Sequence, residues 1–143
     1  MRYFLVTLIC ALTPLVAAAQ SYIAVNRLQV VAINASEFEV IEARGEGARG
    51  MWCAAADYVT RTQGHRAGQR LYVKTPRGPS VTVQGRKGAI FTTDASRLPN
   101  GPKQSVSVSV KIAGLGLPVN HAIQFCKDYQ IELEDILLRR LGD

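Results

Sequence analysis

Few side chains in this chain could do chemistry unaided: three cysteines, Cys10, Cys53 and Cys126, and two histidines, His65 and His121. Cys53 falls in the first turns of a predicted helix, where the helix dipole favours a thiolate. With His65 or His121 as base it would resemble a cysteine-hydrolase pair. Cys53, His65, His121 and Cys126 are also zinc-ligand types, but no C-x-x-C or H-x-x-x-H spacing joins them. His121 and Cys126, five apart, share a face of neither a helix nor a strand. The spacing therefore predicts no metal and no cofactor. No G-x-S-x-G, H-E-x-x-H or P-loop pattern occurs. Glu37, Glu39 and Asp57 read as carboxylates of an ordinary solvated face.

Gly45-Glu46-Gly47-Ala48-Arg49-Gly50 matches G-x-G-x-x-G between a predicted strand and a predicted helix, the setting of a dinucleotide fingerprint. The next strand ends at Lys74-Thr75 with no acidic residue for a ribose, and the chain does not alternate β and α. These glycines are better read as a tight turn and a close helix approach. Trp52, just beyond, reads as a core anchor.

The N-terminus narrows the use of the cysteines. Met1 and Arg2 are followed by an apolar run from Tyr3 to Thr13, then Pro14 and the small residues Ala17-Ala18-Ala19. This pattern predicts a signal peptide over 1–19, with Gln20 as the mature N-terminus and Cys10 discarded. The run is shorter than the roughly 20 residues of a membrane-spanning helix, and no later stretch approaches that length. The expected location is periplasmic or secreted. Two cysteines in an exported chain are most simply a disulfide, Cys53 to Cys126. Closing so long a loop contributes about 4 kcal/mol on the chain-entropy model.

The remaining 20–143 reads as one domain. Ser21 to Ile33 predicts a strand in which the apolar parity switches, through a bulge near Asn26-Arg27 or a loose start. Asn34-Ala35-Ser36 is a turn, and also a short glycosylation pattern. Phe38 and Val40 mark a return strand. Ala48 to Gln63 predicts a helix, with Met51, Ala54, Ala55 and Tyr58 on one face and Gly64 at its end. Arg70 to Lys74 is a strand, and Thr75 to Ser80 a loop because it holds Pro76 and Pro79. Ser80 to Gln84 and Ala89 to Thr93 are further strands, joined by a basic turn at Gly85 to Gly88. Gln104 to Ile112 shows the cleanest alternation, with valines and Ile112 opposite serines. Gly114 to Pro118 is a turn. Val119, Ala122, Ile123 and Cys126 fit a helix better than a strand, and the tail 133–143 continues at helical spacing or frays. The expected fold class is α+β: an antiparallel sheet of five to six strands, with two helices packed on one face and tied by one disulfide.

Charge is the strongest functional signal. Arg44 to Lys111 holds twelve basic and three acidic residues. Arg66, Arg70, Arg77, Arg86 and Lys87 fall in or beside loops, where they would steer an anionic protein, a phosphorylated headgroup or a polyanion. Nucleic acid is not expected, because export removes the compartment and the strands lack stacking aromatics.

RGEGARGMWCAAADY, YVKTPRGPS, FTTDASRLP and GLPVNHAIQFCKDYQIEL together resemble an uncharacterised family of small exported proteins of Gram-negative bacteria. The resemblance implies export and the two-cysteine pattern, and carries no activity. The expected function is a non-enzymatic envelope protein that binds or stabilises another component through a basic loop surface. Two other classes stay open: an envelope hydrolase with Cys53 as nucleophile, and a small inhibitor inserting the Pro76–Pro79 loop.

Overall fold

A computed structural model of the chain describes residues 20–64 and 66–142; the 1–19 segment with Cys10, and His65, lie outside the described residues. Six strands form one sheet: β1 (Ser21–Ile23), β2 (Gln29–Ala32), β3 (Glu37–Ile41), β4 (Arg70–Pro79), β5 (Lys87–Thr92) and β6 (Gly116–Pro118). Their order is β1-β2-β3-β5-β4-β6, and every neighbouring pair is antiparallel. The two-residue period puts Val30, Phe38, Val40, Val73, Ala89 and Phe91 on one face, all buried.

Helix α1 (Gly47–Tyr58) covers that face and runs on through a wider π-turn to Gln63. It stops at Gly64, whose φ of 63° is left-handed. From Gly50 to Val59 every residue is buried. Trp52 lies edge-on to Phe91 at 5.0 Å, and Tyr58 packs at 4.6 Å from Phe38. Ala54, Ala55 and Ala56 have no bulk to hold neighbours away, so layers close in on more than one side. The outer layer is the C-terminal helical run: α2 (Val119–Ala122), a 3-10 turn (Ile123–Cys126) and α3 (Lys127–Leu141). The run is helical, which decides between the two periods competing after Val119. A disulfide joins Cys53 to Cys126, with Cα atoms 5.1 Å apart. The α+β sheet, the two helical layers and the disulfide agree with the sequence.

Several local expectations do not. The single strand over Ser21 to Ile33 is a hairpin. The parity switch marks a turn, closed by Ala24 N–H to the Leu28 carbonyl at 2.9 Å, with Arg27 at φ 64°. The loop expected over Thr75 to Ser80 is strand, since β4 runs through both prolines. Register shifts between Val73 and Gly78 absorb Pro76, and Pro79 is the last residue of the strand, opposite Lys87. The strand expected over Ser80 to Gln84 is instead the β4–β5 hairpin loop. Gly116 to Pro118, expected as turn, pairs with β4.

The largest departure is Gln104 to Ile112, which is no strand. Ser105, Ser107 and Ser109 each accept, through Oγ, the N–H two residues on, at 3.1 Å. Side-chain bonds of this kind offer the backbone an alternative to a ladder. The segment becomes a strap: Trp52 Nε1–H donates to the Val108 carbonyl and Arg77 N–H to the Val110 carbonyl. Val110 is buried, whereas Val106 is fully exposed.

The carboxylates are not on a solvated face either. Glu37, Glu39 and Asp57 are 5%, 1% and 5% exposed. Glu37 meets Lys74 Nζ at 2.6 Å and Asn34 Nδ2 at 3.0 Å. Glu39 accepts from Ser80 Oγ, Thr82 Oγ1 and the N–H groups of Val81 and Thr82. Asp57 accepts from the Tyr22 hydroxyl and Val25 N–H. Each carboxylate pins a loop or turn to the core, which is how burial of a charge becomes tolerable.

Candidate functional site

Cys53 is fully buried and its sulfur is bonded to Cys126, so this structure holds no thiolate at the start of α1. His121 is exposed and rests against Phe125, with ring centroids 5.6 Å apart. Among the described residues no group of three or more His, Cys, Asp or Glu could hold a metal ion. No helix there is long and apolar enough to cross a membrane. The Asn34 of the glycosylation pattern has its amide committed to Glu37 and its carbonyl to Ser36 and Glu37 N–H groups.

The glycine pattern has a conformational cause. Gly45 and Gly47 sit at φ 70° and 63°, with open space where a Cβ would stand. Gly50 is needed for close approach: an added Cβ would collide with the Glu46 side chain, and the Gly50 carbonyl accepts from Asn26 Nδ2 at 2.8 Å. The turn from Arg44 to Gly47 therefore stands out from the end of the sheet at the beginning of α1.

A cleft lies on either side of this turn. One, of about 610 Å³, is lined by Arg27, Arg44, Glu46, Tyr129 and Ile136. The other, of about 210 Å³, is lined by Glu42, Gly45, Gly47, Arg77, Val110 and Lys111. The two acidic residues are already engaged. Glu46 accepts a hydrogen bond from the Tyr129 hydroxyl. Glu42 is held by two Arg77 nitrogens, Nε at 2.8 Å and Nη2. That fork holds the Arg77 guanidinium above even its ordinary range. Arg86 donates to the Glu42 carbonyl at 3.0 Å, and Glu42 N–H donates to the Lys87 carbonyl at 2.8 Å. With Glu42 paired to Arg77, the cleft residues Arg27, Arg44 and Lys111, and Lys87 at the nearby end of β5, outweigh the charge of Glu46. Arg49 is committed inward, its guanidinium 4.9 Å over the Phe125 ring.

Of the five basic residues picked from the sequence, Arg77, Arg86 and Lys87 meet at this end. Arg66 and Arg70 do not. Arg70 opens β4, seven positions before Arg77, or about 20 Å along a strand. Its guanidinium is bonded to the Gly116 carbonyl and borders a separate cleft with Tyr72 and Lys103. Arg27, Arg44 and Lys111 were not singled out by sequence. The available signals were the parity break at Arg27 and the glycine beside Arg44. The Pro76–Pro79 segment of the inhibitor reading is part of β4, with Pro79 paired to Lys87, and is not a protruding loop.

Burial also tunes a titratable group. The Tyr22 hydroxyl is pushed up to about 12, by desolvation first and then by Asp57, whose carboxylate it faces at 2.7 Å. This contact lies on the hairpin side of α1 and serves packing rather than the clefts.

No protein-family model matches the chain, and no curated protein or solved structure matches it either.

Proposed function

We propose that the protein is a non-enzymatic component of the cell envelope, exported to the periplasm or beyond, that binds an anionic partner through the basic end of its sheet. One observation carries this reading. Two clefts flank the Arg44–Gly47 turn, with Glu42 paired to Arg77 and Glu46 hydrogen-bonded by Tyr129, while Arg27, Arg44 and Lys111 keep their charge toward solvent and outweigh the charge of Glu46. A surface of one sign raises the local concentration of opposite charge and speeds encounter. The export-signal pattern and the disulfide, which persists only in an oxidising compartment, support the envelope setting.

The test is retention on immobilised polyglutamate. Lys87→Glu combined with Lys111→Glu should elute at clearly lower salt than the unchanged protein. Arg66→Glu combined with Arg70→Glu carries the same charge change at the other end and should elute close to the wild type. Equal losses from the two pairs would mean that net charge alone governs binding, and would refute a localised surface.

A further inference from the structure

The geometry points to a binding site for a phosphomonoester in the cleft at the β4–β6 edge of the sheet, apart from the basic end. This cleft encloses about 800 Å³, a size that suits a small molecule. Its walls are the outer face of β4 and the 102–106 run. Arg70 and Tyr72 stand on that face because Leu71 and Val73 are buried on the other, and successive side chains of a strand alternate.

Two glycines build the floor. A Cβ on Gly116 would fall 2.4 Å from Tyr72 Cδ1, so the ring rests against bare backbone. The Gly116 carbonyl also accepts from Arg70 Nη2 at 3.0 Å. Gly114, at φ 87°, makes room for the Lys103 stem, whose Cγ lies 3.2 Å from where a Cβ would stand. Lys103 is held in turn by its own N–H, which donates to the Gly114 carbonyl at 2.9 Å. Gly114-Leu115-Gly116 thus seats three side chains of the cleft at once. Placing them before a ligand arrives lowers the entropic cost of binding.

The lining selects an oxyanion. Arg70, Tyr72, Lys103, Gln104 and Ser105 can all donate hydrogen bonds, and no carboxylate lines the cleft among the described residues. Arg70 is oriented by a carbonyl, which leaves its charge and its remaining N–H groups to a ligand. Neither it nor Lys103 forms an ion pair among the described residues. Arg77, by contrast, is committed to Glu42. A guanidinium fork matches two phosphate oxygens, and an ammonium adds a point charge. Two cations suit the nearly two charges that a phosphomonoester carries at neutral pH. The volume exceeds what a phosphoryl group fills, so the ligand carries a polar body such as a sugar. Polyglutamate offers single charges spread along a polymer, so it reads the sheet end and not this cleft.

The experiment is calorimetric titration of the oxidised protein with ribose 5-phosphate, at neutral pH and about 0.15 M salt. Ribose should give no binding, and the phosphate should bind one to one with a Kd on the order of 1 mM. Arg70→Gln and Lys103→Gln should each weaken it about tenfold with unchanged circular dichroism. Lys87→Glu with Lys111→Glu, which lowers retention on polyglutamate, should leave this titration as it is. A second arm sediments the protein with phosphatidylcholine vesicles, with and without phosphatidate. Pelleting that needs phosphatidate, Arg70 and Lys103 would make a lipid headgroup the source of the phosphate. No binding in either arm overturns the inference. So does binding that survives both glutamine variants, or binding lost with the Lys87 and Lys111 pair, which would move the phosphate to the sheet end.

Discussion

Replacing Glu39 by glutamine changes one atom and one charge at the best-connected buried group of the sheet's outer face. Oε2 accepts Ser80 Oγ at 2.9 Å, Thr82 N–H at 2.9 Å and Thr82 Oγ1. Oε1 accepts Val81 N–H at 3.1 Å. The carbonyl oxygen of a glutamine can keep the first three. Its NH2 must then face the Val81 N–H, donor against donor. A hydrogen bond to a charged group contributes about 1.5–3 kcal/mol, and the remaining three lose charge assistance. Against this, Val81 is 68% exposed, so its freed N–H can reach water once the loop lifts. The balance is a cost of about 2 kcal/mol, or a melting temperature lower by about 6–10 °C for a domain of this size. Calorimetry measures the first quantity. Amide exchange locates it, because the Val81 and Thr82 amides should be protected in the wild type and exchange at least tenfold faster in the variant. Thr82→Val, which deletes a single hydroxyl donor, should cost about 1 kcal/mol. A Glu39→Gln protein that melts within 1 °C of wild type, with Val81 and Thr82 exchange unchanged, would refute the claim that this carboxylate holds the hairpin loop.

Two further outcomes test the same logic elsewhere. Trp52→Phe keeps the ring against Phe91 but removes the N–H that reaches the Val108 carbonyl at 2.9 Å. It should cost about 1–2 kcal/mol and speed limited proteolysis within 104–112 more than anywhere else. Glu37 is held below the usual carboxylate range, chiefly by Lys74 and then by Asn34, while burial acts the other way. A lowered folded value means stability that is present above the unfolded pKa of about 4.3 and is lost as the pH falls through the folded value. Glu37→Gln should therefore flatten the acid limb of a stability-versus-pH curve below about pH 4.

The parts legible in the sequence were those where one physical requirement dominated. β3 and α1 follow from apolar period and from glycine at the helix end. The disulfide follows from having two cysteines in a chain that looks exported. Gln104 to Ile112 misled because a Val/Ser alternation satisfies two structures at once. Valines at every second position fit a ladder, and serines at every second position fit a chain of side-chain turns. The strap prevailed because Trp52 and Arg77 offer its carbonyls fixed donors. Glu37 and Glu39 misled because alternation predicts which face a residue is on, not whether a loop will cover that face. The candidate site was half legible. Arg77, Arg86 and Lys87 lie at the joined ends of one hairpin, so chain order nearly places them together. Arg27 and Arg44 share one cleft and Lys111 lines the other, and they come to the same end only because the Asn26 amide reaches Gly50 and the strap crosses near Arg77.

Arg44 offers a way to separate stability from function. Its φ of 60° lies in the left-handed region, which costs a residue with a Cβ about 1–2 kcal/mol relative to glycine. Arg27 shows the same conformation, at φ 64°, and borders the same cleft. Nothing in the packing demands a side chain at either position, since both are exposed. A sequence selected for stability alone would place glycine there, as it does at neighbouring Gly45 and Gly47. The arginines are consistent with strain retained for the charge they bring to the cleft. Arg44→Gly relieves the strain at a cost of about 0.5–1 kcal/mol in unfolded-chain entropy, so the variant should melt at or above the wild-type temperature. Its retention on polyglutamate should nevertheless fall. A variant that melts several degrees lower would show that Arg44 supports the fold. One that keeps full retention would remove Arg44 from the proposed surface.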